Sequence, residues 1–302
     1  YYTPGVGAVS AYVAAHKREV RNLTIKNNTV AIISDGSAVL GLGNIGPAAA
    51  IPVMEGKAMI FKDFGGIDAF PIVLGTQDVD TIVETVALIS PVFGGINLED
   101  ISAPRCFEIE KRLKKILDIP VMHDDQHGTA IVVLAGLINA FTVVGKKIRK
   151  GNITILGAGA AGTAITHLLI SYGIRNIVVV DRNGILNTNR KDLNKSKKEL
   201  ARITNRNNIE GGIGEAVHRA DAVIGVSGPH ILKKEHIHTM ADKPIVFALA
   251  NPIPEISPLA AEKAGAFIVA TGRSDFKNQI NNALVFPGVF RGALDNKIST
   301  IT

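Results

Sequence analysis

The sequence predicts an α/β protein of two parallel-sheet domains, the C-terminal one a Rossmann-type dinucleotide-binding fold. Three observations carry that prediction. Short β-branched runs recur along the 302 residues with helix-like stretches between them, the alternation that builds parallel sheets covered by helices. In the second half a glycine turn, "GAGAAG", separates an apolar run from an apolar helical pattern. In the first half two apolar runs end directly in carboxylate pairs, "GGINLED" and "VMHDD". Residues just past the carboxyl ends of strands in an open parallel sheet converge on one crevice.

Taken in order, the expected strands of the first half are "VAIIS" (30–34), "AMIF" (58–61), "FPIVL" (70–74), "GGINL" (94–98) and "IPVMH" (119–123). Helices are expected over 80–90, 104–117 and about 129–144. The 104–117 stretch opens on Pro104 and ends in lysines, as the helix dipole prefers. "KKIRKGN" then reads as a short basic linker, which places the domain boundary near residue 145, giving 1–145 and 146–302. Beyond it, strands are expected at "ITIL" before the glycine turn, "NIVVVD" (176–181), "DAVIGV" (221–226), "PIVFAL" (244–249) and "AFIVA" (266–270). Neither an internal repeat nor a low-complexity tract interrupts the pattern.

Composition narrows the function classes. The chain is 46% hydrophobic and 20% charged, with one cysteine, Cys106, so no intrachain disulfide can form. That usage fits a reducing, cytoplasmic setting. The best membrane candidate, "TAIVVLAGLINAF" (129–141), is shorter than the roughly 18 residues a span needs and contains Asn139; no membrane association is expected. The net charge of +6 is concentrated between Arg190 and Arg206, with seven Lys/Arg against two Asp/Glu. That run lacks the aromatics that stack on bases, so it reads as a solvated helix face, and no nucleic-acid partner is expected. The chain opens at "YYTPGVG" without Met and ends at "ALDNKISTIT", which reads as part of a longer protein.

Gly157, Gly159 and Gly162, with Ala158, Ala160 and Ala161 between them, fit G-x-G-x-x-G. The first glycine makes the tight turn, the second admits a pyrophosphate and the third lets helix and strand pack closely. The helix N-terminus adds N–H donors and positive dipole. Asp181 ends the next apolar run, 19 residues after Gly162, where an acidic residue takes the adenosine ribose hydroxyls. A carboxylate there repels a 2′-phosphate, so NAD is the expected cofactor. Arg182 follows immediately and offers a route to NADP.

Glu99, Asp100, Asp124 and Asp125 admit two readings. Brought together, they would repel one another unless a cation neutralised them, and oxygen-only donors suit Mg²⁺ or Mn²⁺. Kept apart, each pair is a solvated turn or a helix N-cap. His123 and His127 suggest a zinc pair, but the expected strand-to-helix switch falls between them, so they read as structural.

Here the sequence resembles a known family. "YTPGV", "SDGSAVLGLGNIGP", "PVMEGKA", "GGINLEDI", "HDDQHGTA", "GAGAAG", "FALANPIPE", "ATGRSD" and "NQINNALVFPGVFRGAL" look like the motifs of bacterial and archaeal malic enzymes, in family order from Tyr2 to Leu294. The resemblance implies oxidative decarboxylation of L-malate to pyruvate and CO₂ by a metal- and NAD-dependent enzyme. It implies Glu99, Asp100 and Asp125 as metal ligands, Tyr2 as catalytic acid and Lys57 as catalytic base, with Asp124 tuning Lys57. It also implies Asn251 and Asn282 at the malate, Asn281 close by, and Asn251 near the cofactor. Residues 1–145 then become the metal and substrate domain, with about 271–302 returning to its cleft. Family members pair as dimers, so a homodimer or higher homo-oligomer is expected. Rival readings are an oxaloacetate decarboxylase, a malolactic-type relative, or a nucleotide-sensing module, which would be expected to lack Lys57 or the carboxylates. Larger relatives carry an arginine where this chain has Ala38, which leaves open what neutralises the malate carboxylate. Arg273 stands either for substrate closure or for a pair with Asp275.

Overall fold

The computed structural model describes residues 2–39 and 41–301, which divide into two compact units. One holds Gly43–His123 with the chain before it up to Val39, and takes up the chain again from Phe286. The other holds Asp124–Val285 with the short stretch at 40–42. The division falls at the start of the long central helix; the basic linker near residue 145 lies at that helix's far end.

The first unit runs through α1 (Gly5–Ala15), a single turn α2 (Val20–Leu23), β1 (Thr29–Ser34), α3 (Pro47–Gly65), β2 (Asp68–Val73), α4 (Val79–Ile89), β3 (Gly95–Leu98), α5 (Arg105–Ile116) and β4 (Val121–His123). Its four strands are all parallel in the order β2-β1-β3-β4. The strand order therefore reverses between β1 and β3, and the crevice of such a sheet opens past their carboxyl ends. Buried Val30, Ile32, Ile33, Ile96, Leu98, Ile82, Val86, Ile109 and Leu113 make its core.

The strand expected at 58–61 is not one: these residues lie inside α3. The reason is periodicity. Ala50, Met54, Lys57 and Phe61 are the buried residues of the helix, spaced by four, three and four, whereas Met59 is exposed. Four consecutive apolar letters mimicked a strand, and the longer 3.6-residue pattern decided the outcome. Pro47 at the helix start and Gly66 in the left-handed conformation just past its end close the element.

The second unit contains α6 (Asp124–Val143), β5 (Asn152–Leu156), α7 (Ala160–Tyr172), β6 (Asn176–Asp181), β7 (Gly184–Ile185), α8 (Lys195–Ile203), α9 (Ile213–Val217), β8 (Ala222–Gly225), α10 (Lys234–His238), β9 (Ile245–Ala248), α11 (Pro258–Lys263) and β10 (Ile268–Thr271). The last helix, α12 (Phe286–Asp295), belongs to the first unit. The six-stranded sheet has the order β10-β9-β8-β5-β6-β7, parallel except for β7. Its switch point lies between β5 and β8, the Rossmann arrangement.

α6 starts five residues before the expected position. Asp124 and Asp125 form its first turn, where negative charge complements the dipole. At 20 residues it is long and apolar enough to cross a membrane by those two measures, contrary to the expectation from 129–141 alone. Within the unit, however, Ala130, Val133, Leu137, Ala140 and Phe141 join one buried cluster with Ile165 and Leu169 of α7 and Ile155 of β5. It is a core helix.

Candidate active site

Glu99 and Asp100 directly follow β3, and Asp125 stands two residues past β4, the strand hydrogen-bonded to β3. One oxygen from each of the three carboxylates lies within 4.8 Å of the others, and Glu99 and Asp100 are buried. The pairing of neighbouring strands thus sets the group, and its donors are carboxylate oxygens alone. Three such anions stay ionised together only beside positive charge. One source is local: Lys57 Nζ lies 2.7 Å from Glu99 Oε2. An oxygen-only set of this charge suits a hard divalent cation such as Mg²⁺ or Mn²⁺.

Lys57 is 7% exposed on the inward face of α3, and its ammonium sits 4.1 Å above the Phe286 ring. Phe61 packs on Phe286 and Phe290 at centroid distances of 4.6 and 5.4 Å, so α12 holds the ring against the lysine. Asn97 Nδ2 donates to the same Glu99 Oε2 at 3.1 Å.

Loops past β1 and β3 are stitched by residues that sequence reasoning missed. Arg105 donates to buried Asp35 at 2.7 Å and to the hydroxyls of Ser37 and Ser102 at 2.8 and 3.0 Å. The Ala38 N–H donates to the Asp100 carbonyl at 2.9 Å, and Asp100 takes a positive φ of 51°. Aspartate tolerates that conformation better than most residues. Arg105 was readable only as a helix-start arginine, because nothing in the sequence couples it to Asp35, 70 positions away.

In the second unit, Asp124 is fully buried at the start of α6. A methyl group at Gly128 would collide with Asp124 Oδ1 and reach within 3.3 Å of Asn282 Cβ, so Asp124, Gly128 and Asn282 are immediate neighbours. Asn281 is committed to the local backbone, donating to the Gly272 carbonyl at 2.9 Å and accepting from Ala283 N–H at 2.9 Å. Asn251 is half-buried with Nδ2 2.8 Å from where Gly272 would carry a Cβ. Arg273 pairs with Asp275 through two bonds of 2.9 and 2.6 Å and donates to the Pro252 carbonyl at 3.0 Å. His123, at the end of β4, is fully buried and its backbone N–H donates to Glu110 at 3.0 Å.

The glycine turn has the geometry a pyrophosphate needs. Gly157 adopts φ 125°, and a Cβ there would lie 2.6 Å from the Val226 carbonyl. A Cβ on Gly162 would strike the Gly157 carbonyl, so α7 could not close on β5, whereas Gly159 faces open space. Two residues must be glycine for the backbone to fold, and the middle one leaves room for a ligand.

Glu255, unremarked in the sequence, ties together the segments following β8 and β9. Fully buried, it accepts from Ser227 N–H at 3.0 Å and Ala250 N–H at 3.1 Å. Burial raises its pKa against the opposing pull of those N–H donors. Stability linked to this carboxyl therefore falls as pH rises from the unfolded value through the raised folded one. Glu255→Ala is expected to cost about 2–4 kcal/mol by leaving two buried donors unsatisfied, measured as a shift in the urea midpoint. A change under about 0.5 kcal/mol would show that water replaces the carboxylate without penalty.

Asp181 ends β6 as expected, but its carboxylate is covered. Burial pushes its pKa up, yet hydrogen bonds from Arg190, Lys197 and Asn183 N–H outweigh this and hold it below the ordinary value. Tyr2 is 86% exposed.

Fold and site together have the layout of an enzyme with a dinucleotide-binding unit and a carboxylate cation cradle beside a buried lysine. Residues 1–114 match the family described as malic enzyme, N-terminal domain, and residues 126–302 match malic enzyme, NAD binding domain. The chain is 58% identical to the NAD-dependent malic enzyme of Geobacillus stearothermophilus over 97% of its own length and 61% of that protein's. It is 54% identical to the bifunctional malic/malolactic enzyme of Bacillus subtilis over 99% of its length and 73% of that protein's. The crystal structure of the NAD-dependent malic enzyme from Thermotoga maritima, 52% identical, superposes with a TM-score of 0.96 over 100% of this chain and 80% of that one. This chain belongs to the malic enzyme family.

Proposed function

We propose that the chain catalyses the oxidative decarboxylation of L-malate to pyruvate and CO₂ with reduction of NAD⁺, in a reaction that requires Mn²⁺ or Mg²⁺. The observation that carries this reading is the buried Lys57 ammonium 2.7 Å from Glu99, itself one of three clustered carboxylates. A base and a cation cradle thus share one residue. In this reading Glu99, Asp100 and Asp125 hold the metal, and Gly157–Gly162 with Asp181 and Arg182 hold the dinucleotide.

Bound metal and nicotinamide would supply a Lewis acid at the C2 oxygen and an acceptor for the C2 hydride. Lys57, once neutral, accepts the C2 hydroxyl proton. Burial favours the neutral amine, while Glu99 and the face of the Phe286 ring favour the ammonium, so neutralising Glu99 readies the base. Asp124 tunes that balance. When the C3–C4 bond breaks, its electron pair remains on C3 as an enolate and CO₂ leaves; Tyr2 then returns a proton to C3. Asn251 and Asn282 orient the malate, with Asn281 fixing the turn that carries Asn282.

Tyr2 precedes α1, a helix with no buried residue that exposes Val6, Val9 and Tyr12. We assign this apolar face to pairing with a second copy, which would also shield the segment bearing Tyr2. Sedimentation is expected to give a homodimer or a higher oligomer, in a cytoplasmic setting.

Incubation with L-malate, Mn²⁺ and either NAD⁺ or NADP⁺ is expected to yield reduced cofactor and pyruvate in equal amounts. The name of the Bacillus relative favours one alternative, conversion of malate to lactate. Lactate without accumulated NADH, or pyruvate from oxaloacetate alone, would replace the proposed reaction.

A further inference from the structure

Arg105 is the first residue of α5, where the helix dipole disfavours a cation, so the helix itself gives no reason for it. Its two terminal nitrogens make four bonds. Nη1 donates to Asp35 Oδ2 at 2.7 Å and to the Gln77 carbonyl at 2.8 Å; Nη2 donates to the hydroxyls of Ser37 and Ser102 at 2.8 and 3.0 Å. Four acceptors occupy the four terminal N–H groups of the guanidinium. Arg105 therefore acts on the site through what it holds rather than by direct contact.

What it holds is the turn that carries Asp100. The buried Ser37 hydroxyl has one proton to give and two lone pairs. The proton goes to Asp35 Oδ1 at 2.5 Å, and the lone pairs accept from Arg105 and from Ser102 N–H at 2.9 Å. Buried Asp35 is thus fixed on both oxygens. One residue past Ser37, the Ala38 N–H donates to the Asp100 carbonyl at 2.9 Å. The loop after β1 therefore grips the chain at Asp100 and again at Ser102, on either side of Ile101. At the first grip Asp100 sits at φ 51° with its side chain buried. A non-glycine residue keeps that conformation only where its surroundings over-determine it.

We propose that Arg105 is a positioning residue for the divalent cation, holding Asp100 in its ligating conformation through Asp35, Ser37 and Ala38. The two loops it joins follow β1 and β3, the strands between which the sheet order reverses. Glu99 needs less help, because its N–H continues the ladder to the Ile33 carbonyl at 2.8 Å; Asp100 lies one residue beyond it. A lysine cannot replace the arginine, because a point charge does not span Asp35 and two hydroxyls as the planar fork does. This assignment rests on the reading of Glu99, Asp100 and Asp125 as metal ligands.

The test is direct Mn²⁺ binding to the metal-free full chain, read from the electron paramagnetic resonance signal of the free ion, on the wild type, Arg105→Lys, Ser37→Ala and Arg112→Met. Arg112, on the same helix, pairs with exposed Asp80 and Glu108 and is the control for losing an ion pair. Arg105→Lys and Ser37→Ala are each expected to weaken Mn²⁺ about tenfold, the lower end of what groups orienting metal ligands contribute. Arg112→Met is expected to leave it unchanged. Turnover of the two loop variants is expected to fall at low Mn²⁺ and to recover when Mn²⁺ saturates, with NADH affinity unaltered. Wild-type Mn²⁺ affinity in either loop variant would overturn the assignment even if that variant melts lower, because a purely structural brace lowers stability without moving the metal. An equal loss in Arg112→Met would overturn it too. If Arg105→Lys fails to fold, Ser37→Ala decides, since it keeps the Arg105–Asp35 pair. No Mn²⁺ binding by the wild type would overturn the metal reading and this assignment together.

Discussion

Lys57→Ala is expected to lower malate turnover by about 10²–10⁴-fold, the range supplied by a positioned general base, with NADH affinity within about twofold of wild type. The asymmetry follows from where the residue sits. Lys57 belongs to the first unit, on α3, whereas the glycine turn and Asp181 belong to the second. In the proposed mechanism its loss takes away the proton acceptor at C2 without touching the nucleotide cradle. A small primary amine added to the alanine variant is expected to restore part of the turnover, because a truncated lysine leaves an amine-sized space beside Phe286. A merely structural lysine would show no such rescue. Undiminished turnover in the variant would reject Lys57 as the base.

The second large effect concerns the carboxylates. Asp125→Asn removes one negative charge from a group whose oxygens lie within 4.8 Å of one another. Mn²⁺ affinity is expected to fall on the order of 10²-fold, in line with the sensitivity of metal sites to their ligating shells. Turnover at low Mn²⁺ should fall with it, and chelation of the wild type should abolish turnover. Stability is expected to move the opposite way. Without metal, the variant carries less like-charge repulsion and should melt no lower than wild type; with Mn²⁺, only the wild type should gain the stabilisation that ligand binding confers. Melting curves with and without Mn²⁺ separate these effects. An unchanged metal response in the variant would remove Asp125 from the ligand set.

Much of this was legible in the sequence because it is local. The glycine turn works through residues five positions apart, and its constraints, a positive φ at Gly157 and a methyl-free Gly162, are written in the residue types. The strand ends bearing Glu99, Asp100, Asp124 and Asp125 were readable from where apolar runs stop. What could not be read depends on distant partners. Arg105 and Asp35 meet across 70 positions, and Glu255 gathers N–H groups from two loops. The basic run at 190–206 shows the same limit. Charge counting reads it as a solvated face, and α8 does expose Lys195, Lys198 and Glu199, yet Arg190 and Lys197 turn inward to Asp181. At 58–61 the error was of another kind: a window of four residues is too short to distinguish a helix from a strand.

The chain path through Phe286 has a consequence for biosynthesis. The dinucleotide unit is one run, Asp124–Val285, apart from the short stretch at 40–42, while the unit that holds Lys57 is interrupted by it and completed by α12. Among the described residues, Phe61 has its aromatic partners in Phe286 and Phe290, which leave the ribosome more than two hundred residues later. Domains generally fold as they emerge, so the inserted unit can form first while the earlier one waits with part of its apolar surface uncovered. A nascent chain halted just before Phe286 would hold a complete glycine turn and an unfinished pocket around Lys57.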